Sequence, residues 1–487
     1  MNYVILFLLL FISSCNMAPK TKQLDIPMPE GWRMNNNEPS PFIELNDAAA
    51  FANVLWWEQF HDPVLNDLIS EALENNKELA VAAWRVSEFA ALFRFVYGNL
   101  YPQVTADGFY NRRYSSIAQN PLPPGASRYS NTYSLSLNGF FQIDVWGRLL
   151  NQSSAAFHEF LAQDDARRFV VITVMSSVAS SYIQLRKYDK QLVIAKKTLD
   201  SRNKALELAK IRYDNGYTSE LEVKQAESAV TGADAEITRL KILDAQEENL
   251  LSILIGRNPG PILRGRDIDD LYMPPRIPVG LPSSLLGQRP DILQAEQKLI
   301  GSDALIGAAR AAFFPEISLT GMLGTISPVF SKLFTNDAAT WNYGGSFFQT
   351  VFDGGRLSAQ LDAAEAVKWQ AFYNYEQVIQ NAFREVNDSL IAHQLSQELL
   401  VIEKNRMKIF QEYLELARLQ YTNGQVDYLN VLDAERNLFD SELKVVQAES
   451  DTFLSLINLY TALGGGWVVD YSNKSNESEP ITECCLE

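Results

Sequence analysis

Residues 129–146 alternate in character along the chain. Odd positions carry Tyr133, Leu135, Leu137, Phe141, Ile143 and Val145, and even positions carry Thr132, Ser134, Ser136, Asn138, Gln142 and Asp144. A period of two gives a strand one greasy face and one wet face. Residues 103–114 predict a companion strand. The segment 115–128 between them holds Pro121, Pro123, Pro124 and Gly125 and predicts a surface loop. A second pair of strands is predicted over residues 316–323 and 341–352, where Trp341, Tyr343 and Phe347 stand against Asn342 and Ser346. Elsewhere the spacing is helical. Asp62-Pro63 reads as an N-cap followed by proline at the first helical position, and Leu65, Leu68, Ile69, Ala72 and Leu73 then recur at helical intervals. A further helix is predicted over 77–99, stopping before Tyr101-Pro102.

From Gly147 to Tyr213 the helical pattern runs without a proline, which at 1.5 Å per residue is about 100 Å if unbroken. A second arm is predicted over 219–255. Ala205, Ala209, Ala226, Ala229 and Ala233 let neighbouring helices come close. Mixed charges at Lys196, Lys197, Asp200, Arg202, Lys204, Glu207 and Lys210 point to a solvated coiled coil. The two arms are separated by Asn215-Gly216, a strong local breaker because glycine takes positive φ at no steric cost.

This whole arrangement occurs twice. Gly216 and Gly424 lie 208 residues apart (424 − 216), and the same offset pairs Tyr213 with Tyr421, Leu221 with Leu429, Val223 with Val431, Ala226 with Ala434 and Glu227 with Glu435. It also pairs Gly147-Arg148-Leu149 with Gly355-Arg356-Leu357, and Gly256 with Gly464. A constant offset over such a span indicates a duplication. Long arms are therefore expected again over 355–421 and 427–463, preceded by a helix from Arg289-Pro290-Asp291 to just before Phe314-Pro315. The expected division is a first repeat at 61–256, a Pro-rich linker at 257–286, a second repeat at 287–466 and a polar tail at 467–487. The linker reads as irregular, polyproline-like chain on the strength of Pro259, Pro261, Pro274, Pro275, Pro278 and Pro282.

The N-terminus changes the compartment. Residues 3–12 are apolar but too few to span a bilayer, so residues 1–14 read as a signal peptide. Ile12-Ser13-Ser14-Cys15 resembles a bacterial lipobox, which makes Cys15 the expected lipidation site, although no Lys or Arg precedes the apolar core. Residues 15–60 then read as a lipidated, extended arm lying on the body. Asn16 follows the cysteine where Asp commonly retains lipoproteins in the inner membrane, so the anchor is expected in the outer membrane. The acyl chains add membrane affinity with each buried CH₂.

A content of 47% hydrophobic and 21% charged residues describes an ordered chain. The net charge of −17 argues against nucleic acid as a partner. That acidity fits either a solvated surface or an acidic lumen favouring cations. Cys15, Cys484 and Cys485 have no spacing suited to a disulfide framework or a metal knuckle, and His61, His158 and His393 are scattered. No metal, cofactor or phosphate-binding loop is expected, and no acid–base constellation, so the chain is not read as an enzyme.

Strands of about ten residues are long enough to cross a bilayer when tilted. Tyr101, Tyr110, Tyr114, Tyr129, Tyr133, Trp146, Trp341 and Tyr343 lie near strand ends or on apolar faces, as an interfacial girdle does. Four strands cannot close a barrel alone, so membrane strands here require other subunits. The alternative is a water-soluble sheet on a helical domain.

Three motifs carry a resemblance. Trp56-Trp57, Phe60-His61-Asp62-Pro63, Leu65, Leu68-Ile69, Ala72-Leu73 and Asn76 resemble the opening of the outer membrane factors (TolC/OprM-like), in particular their NodT-like lipoprotein branch. Gly280-Leu281-Pro282-Ser283, Leu286, Arg289-Pro290-Asp291-Ile292 and Ala295-Glu296 resemble the start of that family's second repeat. Tyr421, Gly424, Tyr428-Leu429, Leu432-Asp433-Ala434 and Arg436 resemble its second hairpin. The resemblance runs from about residue 10 to about 467. It implies a mainly α fold with a small β part. Duplicated helical hairpins would form a trimeric α-barrel, and four transmembrane strands per chain would enter a shared twelve-stranded β-barrel. It further implies the exit duct of a tripartite efflux system, passing small molecules or drugs from a periplasmic membrane fusion (adaptor) protein and an inner membrane pump of RND or ABC type. A type I secretion duct and a non-conducting coiled-coil tether are the alternatives.

The resemblance also assigns residues. It makes Leu429 and Asp433 ring residues of a periplasmic gate and Tyr421 and Arg436 its latch. Gly216, Ser219, Leu221, Gly424, Asp427 and Leu429 become the tips that dock the adaptor. On spacing alone, Asp433 and Arg436 read as a solvated pair three apart on a helix.

Overall fold

The computed structural model describes residues 16–19, 42–45, 55–116, 118, 123, 127–273, 277–280, 287 and 289–465, of which 42–45 and 277–280 are described by their backbone. In chain order the elements are β1 (Phe42–Leu45), α1 (Pro63–Asn75), α2 (Lys77–Tyr97), β2 (Gln103–Tyr114), β3 (Tyr129–Ile143), α3 (Arg148–Asp214) and α4 (Glu220–Leu254). Then follow β4 (Ile277–Gly280), α5 (Pro290–Ala311), β5 (Glu316–Ser327), β6 (Ala339–Phe348), α6 (Arg356–Thr422) and α7 (Tyr428–Ala462). Helices α3 and α6 have 67 residues each, and α4 and α7 have 35 each. Both ends of α3 and α4 map onto those of α6 and α7 at the 208-residue offset read from the sequence. The glycine pairs Gly147/Gly355, Gly216/Gly424 and Gly256/Gly464 all have φ between 70 and 87°. The duplication therefore repeats the chain breaks as well as the helices.

Two compact units divide the chain differently from the repeats. One comprises residues 1–25, 85–164 and 294–376, and the other residues 26–84, 165–293 and 377–487. Each unit draws on both repeats.

The first unit holds a four-stranded antiparallel sheet in the order β2-β3-β5-β6. Ala106, Leu137, Leu323 and Trp341 are cross-strand partners in one row, and the row beside it is Asp107, Ser136, Gly324 and Thr340. The alternation expected in β3 thus extends across all four strands, apolar on one face and polar on the other. Leu137, Leu323, Trp341 and Tyr343 are more than half exposed, so no protein layer of this chain covers the apolar face at these positions. Strand β6 ends at Phe348, short of the expected residue 352, and Val351 and Phe352 stand exposed beyond it. The strand-to-helix junctions are stitched together across the repeats. Trp146 Nε1 donates to the Pro315 carbonyl at 2.9 Å, its ring stacks on Phe314 with centroids 4.7 Å apart, and Arg148 pairs with Glu316. Residues 16–19 lie against α5, where a Cβ on Gly307 would stand 2.8 Å from Ala18 Cα.

The second unit is built on a core of Trp56, Phe60, Leu65, Ile69, Tyr182, Ile183, Leu251, Leu456 and Tyr460, among others. Trp56 stacks on Tyr460 with ring centroids 5.6 Å apart. Asp62 caps α1 by accepting from the Val64 amide at 2.9 Å, with Pro63 at the first helical position. It is fully buried, and its other oxygen accepts from Tyr182 Oη at 2.7 Å and from the Arg266 amide at 3.0 Å. Asp62→Ala removes a cap and strands two buried donors. We expect a cost of about 3 kcal/mol, read as a lower thermal midpoint of the detergent-solubilised protein.

The linker is more ordered than its proline content suggested. Strand β4 lies within it and pairs in parallel with β1, Phe42 opposite Ile277. Ile262, Ile268 and Leu271 are buried in the core, and Arg264 pairs with Asp189, Asp244 and Glu248. The partners of this segment lie far away in sequence, and local composition carries no trace of them. Helix α3 also contains an 18-residue window apolar enough to cross a membrane, but 56% of that window is buried within the protein. That is the burial of a core helix.

Between α6 and α7, His393 is 2% exposed. Its Nδ1 lies 3.0 Å from Ser455 Oγ, and its Nε2 is 3.0 Å from the Gln397 amide nitrogen. Burial pushes its pKa down from 6.5 to about 4. The unfolded chain takes up this proton near pH 6.5 and the folded chain only near 4, so acid favours unfolding across that window. We expect about 3 kcal/mol of stability, present above pH 6.5, to be lost as the pH falls through 4. Thermal melts of wild type and His393→Gln at pH 7.5 and 4.5 check it, the variant showing the smaller difference.

Candidate functional site: the hairpin tips

Each helical hairpin of the second unit ends in the same turn. At the first tip Gly216 N–H donates to Tyr213 C=O at 2.9 Å and Tyr217 N–H to Arg212 C=O at 2.8 Å. At the second, Gly424 N–H donates to Tyr421 C=O at 3.0 Å and Gln425 N–H to Gln420 C=O at 2.9 Å. This is a Schellman motif with glycine in the left-handed position. An added Cβ would meet nothing within 4 Å at either glycine, so φ of 74° and 71° is the reason for glycine there. Ser219 and Asp427 occupy the next N-caps in extended conformation without a capping bond from their side chains. Leu221 and Leu429 are 65% and 60% exposed.

Tyr421, at the end of α6, joins both arms of the other hairpin. Arg212 Nη1, from the end of α3, donates to Tyr421 Oη, and that hydroxyl donates to Glu222 Oε1 at the start of α4. The Arg212 guanidinium also lies 4.8 Å from the Tyr421 ring centroid and 4.0 Å from Glu222. Thr218 Oγ1 donates to the second oxygen of Glu222, whose side chain is 13% exposed. Burial and the Glu222 carboxylate raise the Tyr421 pKa well above the usual phenol value, so the hydroxyl stays protonated and keeps donating. Tyr428 packs on Tyr421 with ring centroids 5.5 Å apart, and burial pushes its own pKa up to about 12.

Arg436 and Asp433 pair with each other on α7 at 2.7 Å, with side chains 66% and 43% exposed. Asn437 also donates to Asp433 at 3.0 Å. Leu429, Asp433 and Arg436 line a groove of about 520 Å³ whose opposite wall is Leu221, Lys224 and Ser228 of α4. On the same turn of α7 the buried Glu435 pairs with Arg418 at 2.7 Å, while the other Glu435 oxygen has no partner among the described residues. The structure places Leu429, Asp433 and Arg436 along one groove and Tyr421 against the ends of the other hairpin. Arg212, Glu222, Arg418 and Glu435 were missed. A signal existed at the repeat offset: Arg212 corresponds to Gln420 and Glu222 to Asn430, so the charges that hold Tyr421 exist in one copy only. Cys15, Cys484 and Cys485 lie outside the described residues. Among the described residues no group of three or more His, Cys, Asp or Glu could hold a metal ion.

A two-faced sheet feeding duplicated 67-residue helices that end in paired hairpins defines a channel-forming protein of the bacterial outer membrane. The chain belongs to the outer membrane efflux protein family, whose model matches residues 68–257 and 281–465. It is 35% identical to the cation efflux system protein CusC of Escherichia coli, over 94% of this chain and 97% of that one. It is 34% identical to the solvent efflux pump outer membrane protein SrpC of Pseudomonas putida, over 95% of this chain and 98% of that one. A crystal structure of CusC matches with a TM-score of 0.82 at 34% identity, covering 93% of this chain and 100% of that one. The protein is an exit duct for efflux, located in the outer membrane and extending into the periplasm. Its family is one of efflux channels, not of enzymes.

Proposed function

We propose that three copies of this chain assemble into one duct, each giving four strands to a twelve-stranded barrel. The observation that carries this is a sheet whose outer strands, β2 and β6, each have a single neighbour among the described residues. In lipid an unpaired strand edge costs several kcal/mol per polar group, roughly. A second and third copy remove those edges. Cys15 is the lipid anchor in this reading, following a signal peptide at 1–14.

At the periplasmic end the hairpins form the gate. Leu429 and Asp433 of three chains ring the axis, and Arg212, Tyr421 and Glu222 hold the two hairpins of each chain together. Opening is a rigid-body movement of the second hairpin away from the first, with the latch broken and helices intact. The exposed tips around Gly216, Ser219, Leu221, Gly424, Asp427 and Leu429 receive a periplasmic adaptor, behind which an inner membrane pump supplies the energy. The cargo is small molecules or drugs. Relatives of nearly equal identity are named for cations, solvents and antibiotics, which supports a duct that leaves selection to the pump.

The test is the mass of the purified protein in detergent together with its conductance in a planar bilayer. A trimer with small, cation-selective openings is expected. A monomer that leaves the bilayer ion-tight would sink the duct.

A further inference from the structure

Strands β2 and β3, and β5 and β6, are joined by loops at the end away from the helices. Since the helices enter the periplasm, these loops lie on the outer side. The β5–β6 loop, residues 328–338, bends toward the loop end of the apolar face and leaves most of that face exposed. Phe330 packs edge-on against Tyr133 with centroids 5.6 Å apart, and Phe334 borders an open, mostly apolar cleft of about 580 Å³ whose floor includes Ala106, Leu135, Leu137 and Leu323. Both phenylalanines stay exposed, at 60% and 71%, while Leu333 between them is buried and pins the loop.

Beyond this cleft, toward the loop end of the sheet, the surface is cationic. The Arg112 guanidinium lies 5.0 Å from the Tyr129 ring centroid, and that of Arg128 lies 4.1 Å from the Tyr114 ring centroid. Lys332 projects from the loop between Phe330 and Phe334 and is exposed. Among the described residues none of these three cations pairs with a carboxylate. Cations, aromatic rings and an apolar cleft on one lipid-facing edge match an amphiphile with a phosphate-bearing head group and acyl chains.

We propose that this edge seats an anionic glycolipid of the outer leaflet. One acyl chain lies in the cleft under Phe334, and the head-group phosphates meet Arg112, Arg128 and Lys332. The seat holds the β5–β6 loop against the barrel and marks where the duct meets the outer leaflet. It rests on the reading of the apolar face as lipid-facing.

The experiment uses the full-length protein in phosphatidylcholine nanodiscs, offered bisphosphoryl lipid A, monophosphoryl lipid A or phosphatidylglycerol, with retention read by native mass spectrometry. Bisphosphoryl lipid A should be retained most. Arg112→Gln with Lys332→Gln should lower its retention on the order of thirty-fold through the loss of two cations, and Phe334→Ala should lower it separately. The wild-type comparison of the two lipid A forms decides the matter even if a variant folds poorly. Equal retention of all three lipids overturns the seat, as does undiminished retention by a folded double variant. Conductance of the same preparation separates the failures: a conducting protein retaining no lipid removes the seat alone, and a non-conducting monomer removes the barrel itself.

Discussion

Tyr421→Phe combined with Glu222→Gln should open the resting channel, raising its single-channel conductance in a planar bilayer several-fold. The pair removes the hydroxyl that Arg212 and Glu222 share and the charge that keeps Arg212 in place. A hydrogen bond to a charged group contributes about 2 kcal/mol net. Three copies of the latch acting together come close to the ~5.5 kcal/mol that turns a 1:99 population into 99:1. Arg436→Ala is the contrasting variant. Its ion pair with Asp433 is well exposed, and exposed pairs contribute about 0–1 kcal/mol, so a much smaller change is expected from it. A folded trimer whose conductance is the same with and without Tyr421 and Glu222 would remove this latch from the gate. A large opening from Arg436→Ala alone would move the gate to α7.

Leu137→Arg should abolish assembly in the membrane where Ser136→Arg does not. Leu137 sits in the row Ala106, Leu137, Leu323, Trp341 on the apolar face, and Ser136 sits one residue away on the other. A cation on the lipid face of a barrel costs about 2–4 kcal/mol near the bilayer midplane, and a trimer carries it three times. Position 136 faces the wet side, where arginine changes the charge of the lumen and leaves insertion intact. The fraction of protein recovered as trimer from outer membranes reads the difference. Equal recovery of the two variants would mean that the faces are assigned wrongly or that the sheet meets no lipid.

Local regularities made much of this fold legible. The period of two in β3, the glycines at a fixed offset and the Asp62-Pro63 cap each act through neighbours a few residues away. Their structural consequences follow from the chain's own geometry, and the twin hairpins and the N-terminus of α1 lie where those signals placed them, as do the strand pairs apart from the ends of β5 and β6. The linker was less legible because β4 pairs with β1, more than two hundred residues earlier. Proline content describes what a segment does without a partner. The same reason hid the other role of Asp62. Its cap to Val64 is local, whereas its bonds to Tyr182 and Arg266 join parts of the chain over a hundred residues apart.

At the tips, the turn chemistry of Gly216 and Gly424 and the exposed apolar residues beside them belong to the sequence. The repeat pairs Tyr213 with Tyr421 and makes them look equivalent. Tertiary structure separates them: Tyr421 is held between Arg212 and Glu222, while Tyr213 is 45% exposed. The repeat, the elements and the alternating faces of the strands are thus readable from residue order alone, because periodicity and backbone preference act over a few residues. Which side chains meet across the two copies follows from packing. A hydrogen bond depends on separations of about 3 Å, and packing brings such atoms together from anywhere along the chain.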